Sequence, residues 1–216
     1  MKIIDVNSWD RKYVYENFIN YDTPILSLTS RLDVKELLNY SKTTKTSFFI
    51  NFLYAVMVAV NEIDALKLRI EGENVVLYDL VGASFVVLKD DGVITTVRTP
   101  KTLDYKEFYK KVKEDIENTK TGKIHGNFGG DEKRDVFYVS AVKWIDFTSI
   151  NNPYDFKDKE GSSIPRIAWG KIVEEKDKTT MAFDIACHHA LVDGYPVCEC
   201  INKIQRLINE PKTLLK

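Results

Sequence analysis

The stretch that most limits how this chain can fold is residues 48–60, about a dozen positions that are apolar but for Asn51. A membrane span needs roughly 20 apolar residues, so this run is a buried helix instead. It is apolar around most of its surface, which places it at the centre of a core. Thr46 or Ser47 stands where its cap belongs, and the helix continues to about Glu62.

On either side the periodicity changes. Residues 9–21, rich in aromatic and charged side chains, predict a first helix, and residues 25–32 alternate apolar with polar as a strand does. Asp33 can cap a short helix through Tyr40. Strand-like runs follow at 67–70, 75–78, 84–88 and 93–97, the last two joined by Asp90-Asp91-Gly92, which has the chemistry of a hairpin turn. Residues 104–118 read as a charged amphipathic helix and 119–134 as a polar surface loop. Strands are expected at 136–141, 166–173 and 180–188, then a last helix from Gly194 to about Asn209, stopped by Pro211. Helices and antiparallel-looking strands are mixed without strict alternation, which is the pattern of an α+β fold. No repeat or Pro/Gly-rich linker divides the 216 residues, so 1–216 is read as a single domain.

Composition removes several functions. The formal net charge of −1 gives no positive field for nucleic acid or an anionic membrane. The N-terminus lacks the apolar stretch of a signal peptide. Cys187, Cys198 and Cys200 form an odd, clustered set, a poor disulfide framework that suits a reducing, cytoplasmic setting.

Of three histidines, His188 and His189 are adjacent at the end of a strand, and Asp193-Gly194 opens the turn that follows. Successive strand residues point to opposite faces, so the two imidazoles meet different environments. A histidine can accept a proton from an attacking hydroxyl or thiol near neutral pH. On spacing alone a structural pair is the commoner outcome, and Asp193 alone is a helix cap more often than a catalytic group. Cys187, His188, His189, Cys198 and Cys200 also permit a metal reading, although no Cys-x-x-Cys pair exists. A Ser-His-Asp hydrolase would need a Gly-x-Ser-x-Gly elbow, and none occurs.

The order His188-His189-Ala190-x-x-Asp193-Gly194-Tyr195 resembles the signature of the chloramphenicol acetyltransferases, and the likeness extends along the chain. Trp9-Asp10-Arg11, Leu26-Ser27-Leu28-Thr29-Ser30, the helix from Phe48, Leu68-Arg69-Ile70, Val139-Ser140-Ala141 with Trp144, and Phe147-Thr148-Ser149 follow in the family's order. The resemblance implies a two-layer sandwich of a mixed, mostly antiparallel sheet with packed helices. It implies a homotrimer whose active sites lie between subunits. The substrates would be acetyl-coenzyme A, as co-substrate with no permanently bound cofactor, and a small-molecule hydroxyl acceptor, of which chloramphenicol is one. Nucleic acid and membrane are not expected as partners.

The same resemblance assigns roles. His189 would be the general base, Ser140 the donor to the oxyanion, and Arg11 with Asp193 a buried ion pair holding the active-site turn. Lys171 would lie near the coenzyme phosphates. Three positions depart from the family: Ala186 stands for a glutamine, Pro196 for a histidine, and Ala168 for a threonine that holds an ordered water. Phe18 replaces a substrate-contacting tyrosine and Tyr138 an asparagine, so the acceptor pocket differs. Two other readings stay open, a catalytically silent trimeric homologue that binds a ligand or partner, and an acyltransferase acting on dihydrolipoamide.

Overall fold

In the computed structural model, residues 1–122, 134–155 and 157–216 are described. The buried helix forms as α3 (Phe48–Asn61), after β1 (Lys2–Ile4), α1 (Lys12–Phe18), β2 (Ile25–Asp33) and α2 (Lys35–Thr44). Ser47 is its cap, accepting the Ile50 N–H at 3.4 Å. The strands β3 (Leu68–Glu71), β4 (Asn74–Leu77), β5 (Gly82–Leu88) and β6 (Ile94–Arg98) follow, then α4 (Tyr105–Lys120) and β7 (Val136–Ala141). A short α5 (Lys159–Ser162) precedes β8 (Arg166–Glu175), β9 (Lys178–His188), α6 (Gly194–Asn209) and α7 (Pro211–Leu214). The surface loop expected at 119–134 falls mostly on residues outside the described set; Thr119 and Lys120 close α4.

Six strands make the main sheet in the order β2-β9-β8-β7-β5-β6. β7 runs parallel to β5 and to β8, and the other pairs are antiparallel. The fold is therefore α+β with a mixed, mostly antiparallel sheet. One face of that sheet carries Phe137 and Val139 of β7, Ile167 and Trp169 of β8, and Met181, Phe183, Ile185 and Cys187 of β9. α3 lies on this face, with Phe52 at 5.0 Å from Trp169 and 5.8 Å from Phe183 between ring centroids. α2, α4 and α6 pack against α3, which explains why it is apolar nearly all round. By alternation the opposite face carries Tyr138, Ser140, Arg166, Ala168, Asp184, Ala186 and His188.

Local chemistry explains where the elements end. Gly92 takes φ +82° and donates to the Lys89 carbonyl, closing the β5–β6 hairpin at the expected Asp-Asp-Gly. α1 is shorter than residues 9–21 predict, with Arg11 and Ile19 as its caps, and Val6–Ser8 ahead of it forms a separate 3-10 turn. α2 runs four residues past Tyr40 and stops at Lys45, which is left-handed at φ 54°. Asp33 accepts the Lys35 N–H as a cap would, but it also ends β2, and Val34 separates it from the helix. The small sheet β1-β4-β3 was not expected, since β1 is too short to show an alternation.

Candidate active site

β9 ends at His188, paired with Ile25, and the chain turns sharply before α6. The His188 carbonyl accepts from the N–H groups of Leu191 and Val192, and the His189 N–H donates to the Pro24 carbonyl at 2.7 Å. This turn gives the two imidazoles different fates. His188 is 2% exposed, and its Nδ1 accepts the Ala190 N–H at 3.3 Å. Burial, then the charges of Lys159 and His189, push its pKa down to about 4, so it is neutral at physiological pH.

His189 is half-buried, and its ring stacks on Phe18 with centroids 4.2 Å apart. Its Nδ1 lies 3.2 Å from the Val192 carbonyl oxygen and 3.5 Å from Asp193 Oδ1. Both neighbours only accept, so the partners assign the ring proton to Nδ1. In the neutral ring the Nε2 lone pair is left as the basic site.

Arg11, just ahead of α1, donates to both oxygens of Asp193 and to the carbonyls of His189 and Ala190, at 3.2 and 3.3 Å. One guanidinium therefore fastens the turn at three residues. The pair differs from expectation in burial: the side chains of Arg11 and Asp193 are 21% and 41% exposed, because the turn projects past the end of the sheet. Asp193 precedes α6 but makes no cap bond with its side chain, which is turned to Arg11 and His189 instead.

Ser140 and Lys171 lie elsewhere in the chain. Ser140 pairs across β8 through Ala168 to Asp184, four residues before His188. Two strand spacings and four residues put Ser140 about 16 Å from His188. Lys171 is exposed, in an irregular stretch of β8, with its N–H on the Ile145 carbonyl. A single chain thus brings together Arg11, His189 and Asp193, but not Ser140 or Lys171. Among the described residues no group of three or more His, Cys, Asp or Glu is placed to hold a metal ion.

Three features of this region escape a sequence reading. The Val192 carbonyl is backbone and carries no sequence signal. Phe18 figures in the sequence only as a changed pocket residue, whereas its ring lies on His189. Asp184 is fully buried, with Oδ1 accepting from Ser27 and Thr29 at 2.8 and 2.6 Å and Oδ2 without a partner. An acid inside an otherwise apolar strand was its signal. Burial raises its pKa.

Comparison with known proteins finds relatives along nearly the whole chain. A family model described as Chloramphenicol acetyltransferase matches residues 1–205. A chloramphenicol acetyltransferase of Clostridium butyricum is 27% identical, covering 95% of this chain and 93% of its own. One from Proteus mirabilis is 26% identical, covering 96% and 94%. A solved structure titled chloramphenicol acetyltransferase superposes with a TM-score of 0.84 at 26% identity, covering 96% of this chain and 99% of that one.

Proposed function

The chain belongs to the chloramphenicol acetyltransferase family, and on that premise we propose that it moves an acetyl group from acetyl-coenzyme A to a hydroxyl of a small-molecule acceptor, with His189 as general base. It is an acyltransferase, as the family match and its relatives' names indicate. The observation that carries the proposal is the state of His189: Nδ1 is committed to the Val192 carbonyl and the ring is held by Phe18. A fixed imidazole with a free Nε2 lone pair is what proton abstraction needs.

In the proposed reaction both substrates are bound together and no acyl-enzyme forms. Nε2 takes the proton of the acceptor hydroxyl as its oxygen attacks the thioester carbonyl. The tetrahedral intermediate collapses with loss of coenzyme A, whose sulfur recovers the proton from Nε2. Ser140 donates to the oxyanion while it exists. Arg11 and Asp193 position the turn and move no proton.

The separation of Ser140 from His189 supports a site shared between subunits, with the histidine of one chain facing the serine of the next in a homotrimer. Lys171 is an exposed cation suited to the coenzyme phosphates. We read residues 1–216 as one domain, since the larger of the apolar clusters among the described residues draws on the chain from Leu32 to Leu215. A cytoplasmic setting is supported by three free cysteines. No helix among the described residues is long and apolar enough to cross a membrane. The relatives' name makes chloramphenicol the first acceptor to test and antibiotic resistance the first biological role.

The deciding experiment measures release of free coenzyme A with chloramphenicol and a panel of other hydroxyl compounds. Turnover with at least one is expected. Protein that binds acetyl-coenzyme A yet turns over none of them would be a silent homologue.

A further inference from the structure

We propose that Arg166, beside two tyrosine rings on the sheet face that carries Ser140, selects acceptors bearing an anionic oxygen group, a carboxylate or a phosphate, besides the reacting hydroxyl. The proposal rests on the acetyl-transfer reading and names its acceptor class.

Arg166 opens β8, and its neighbours Ile167 and Trp169 bracket the alternation: Ile167 enters the core, so Arg166 points to the opposite face. Its backbone pairs with Tyr138 on one side and Ala186 on the other. The guanidinium carbon lies 3.6 Å from the ring centre of Tyr154 and 5.8 Å from that of Tyr138. Rings satisfy only the flat face of a guanidinium, whereas its five N–H donors lie in the plane. The Nε donor is buried without a hydrogen-bond partner. Asp158 is the acid whose charge Arg166 feels, but that carboxylate accepts from the Gly161 N–H at 2.9 Å and faces Arg134 at 3.7 Å.

A half-buried cation without its own carboxylate is costly unless an anion arrives. Arg166 stands one strand over and two residues along from Ser140, about 8 Å away by strand geometry. An acceptor whose acidic group meets the guanidinium fork therefore brings its hydroxyl into the neighbourhood of the oxyanion donor. An uncharged acceptor of the same shape leaves those donors unpaired, which is how a polar site rejects it.

The test compares three matched acceptors, a hydroxy acid, its methyl ester and the corresponding phosphate, by release of coenzyme A. In the wild type the acid or the phosphate should exceed the ester in kcat/KM by about 10- to 100-fold, the worth of hydrogen bonds to a charged group, mostly through KM. The better of the two identifies the anion. Arg166→Met should collapse the ratio toward one, and Arg166→Lys should retain part of it, with thermal unfolding confirming that both variants fold. Equal use of ester and acid by the wild type overturns the proposal while leaving acetyl transfer standing. So does an unchanged ratio in Arg166→Met, including the case where that variant merely loses its assembly in sedimentation. Should none of the three release coenzyme A, calorimetry decides separately. Binding of the acid that is lost in Arg166→Met supports the assignment, and equal or absent binding in both proteins sinks it.

Discussion

Along β9 the residues Met181, Phe183, Ile185 and Cys187 enter the apolar core, and Ala182, Asp184, Ala186 and His188 line the opposite face, yet all eight are at most 2% exposed. Burial on the first face is stabilised by packing against α3, as Phe52 on Phe183 illustrates. On the second it is reconciled with polar groups, Asp184 through Ser27 and Thr29, His188 through the Ala190 N–H. One strand therefore separates what holds the fold from what could do chemistry. Equal shielding hides that division from any measure of burial alone.

The sharpest way to break the comparison is at the turn that ends the second face. His189→Ala should lower kcat by about 10²- to 10⁴-fold, the worth of a positioned base, with an unchanged melting temperature. Retention of most activity would remove His189 from the proposed mechanism. Phe183→Ala, on the core face, should do the reverse. It should cost about 4 kcal/mol of stability, read by denaturant unfolding, while the fraction still folded keeps its rate.

His188 tests the second face through pH. Its folded pKa of about 4 lies below its ordinary value, so the unfolded chain takes up the proton first as the solution is acidified. Its contribution is present above pH ~6.5 and is lost on the way down to about pH 4, up to about 3 kcal/mol. Unfolding curves at pH 7 and 4.5 should show a smaller loss in His188→Gln than in the wild type. Equal losses would place the acid sensitivity elsewhere. The smallest effect belongs to Ser140→Ala, which should lower kcat about 100-fold with little change in KM. A large rise in KM instead would make Ser140 a binding group.

Much of this was legible in the chain. The uniform apolarity of residues 48–60 placed α3, the Asp-Asp-Gly turn placed the hairpin, and the strand-like run up to His188 placed β9. Less legible was whatever depends on partners distant in sequence. The parallel pairing of β7 with its neighbours leaves no local pattern. Nor does the choice of Asp193 between capping α6 and meeting Arg11, since the same side chain suits both. The two histidines look alike in sequence; only the turn, which turns one Nδ1 into an acceptor and the other into a donor, tells them apart.

The bond between Arg11 and Asp193 joins positions 182 residues apart, and β2 meets β9 along its whole length. Such distant pairings make for slow folding, because the closing loop must be ordered before the contact rewards it. During synthesis the N-terminal arm of the site must wait for nearly all the rest of the chain to emerge. A truncated or stalled product ending before β9 would hold Arg11 and Ser140 but neither His189 nor Asp193. Acyl transfer is thus a property the polypeptide acquires late, with the docking of its last long strand.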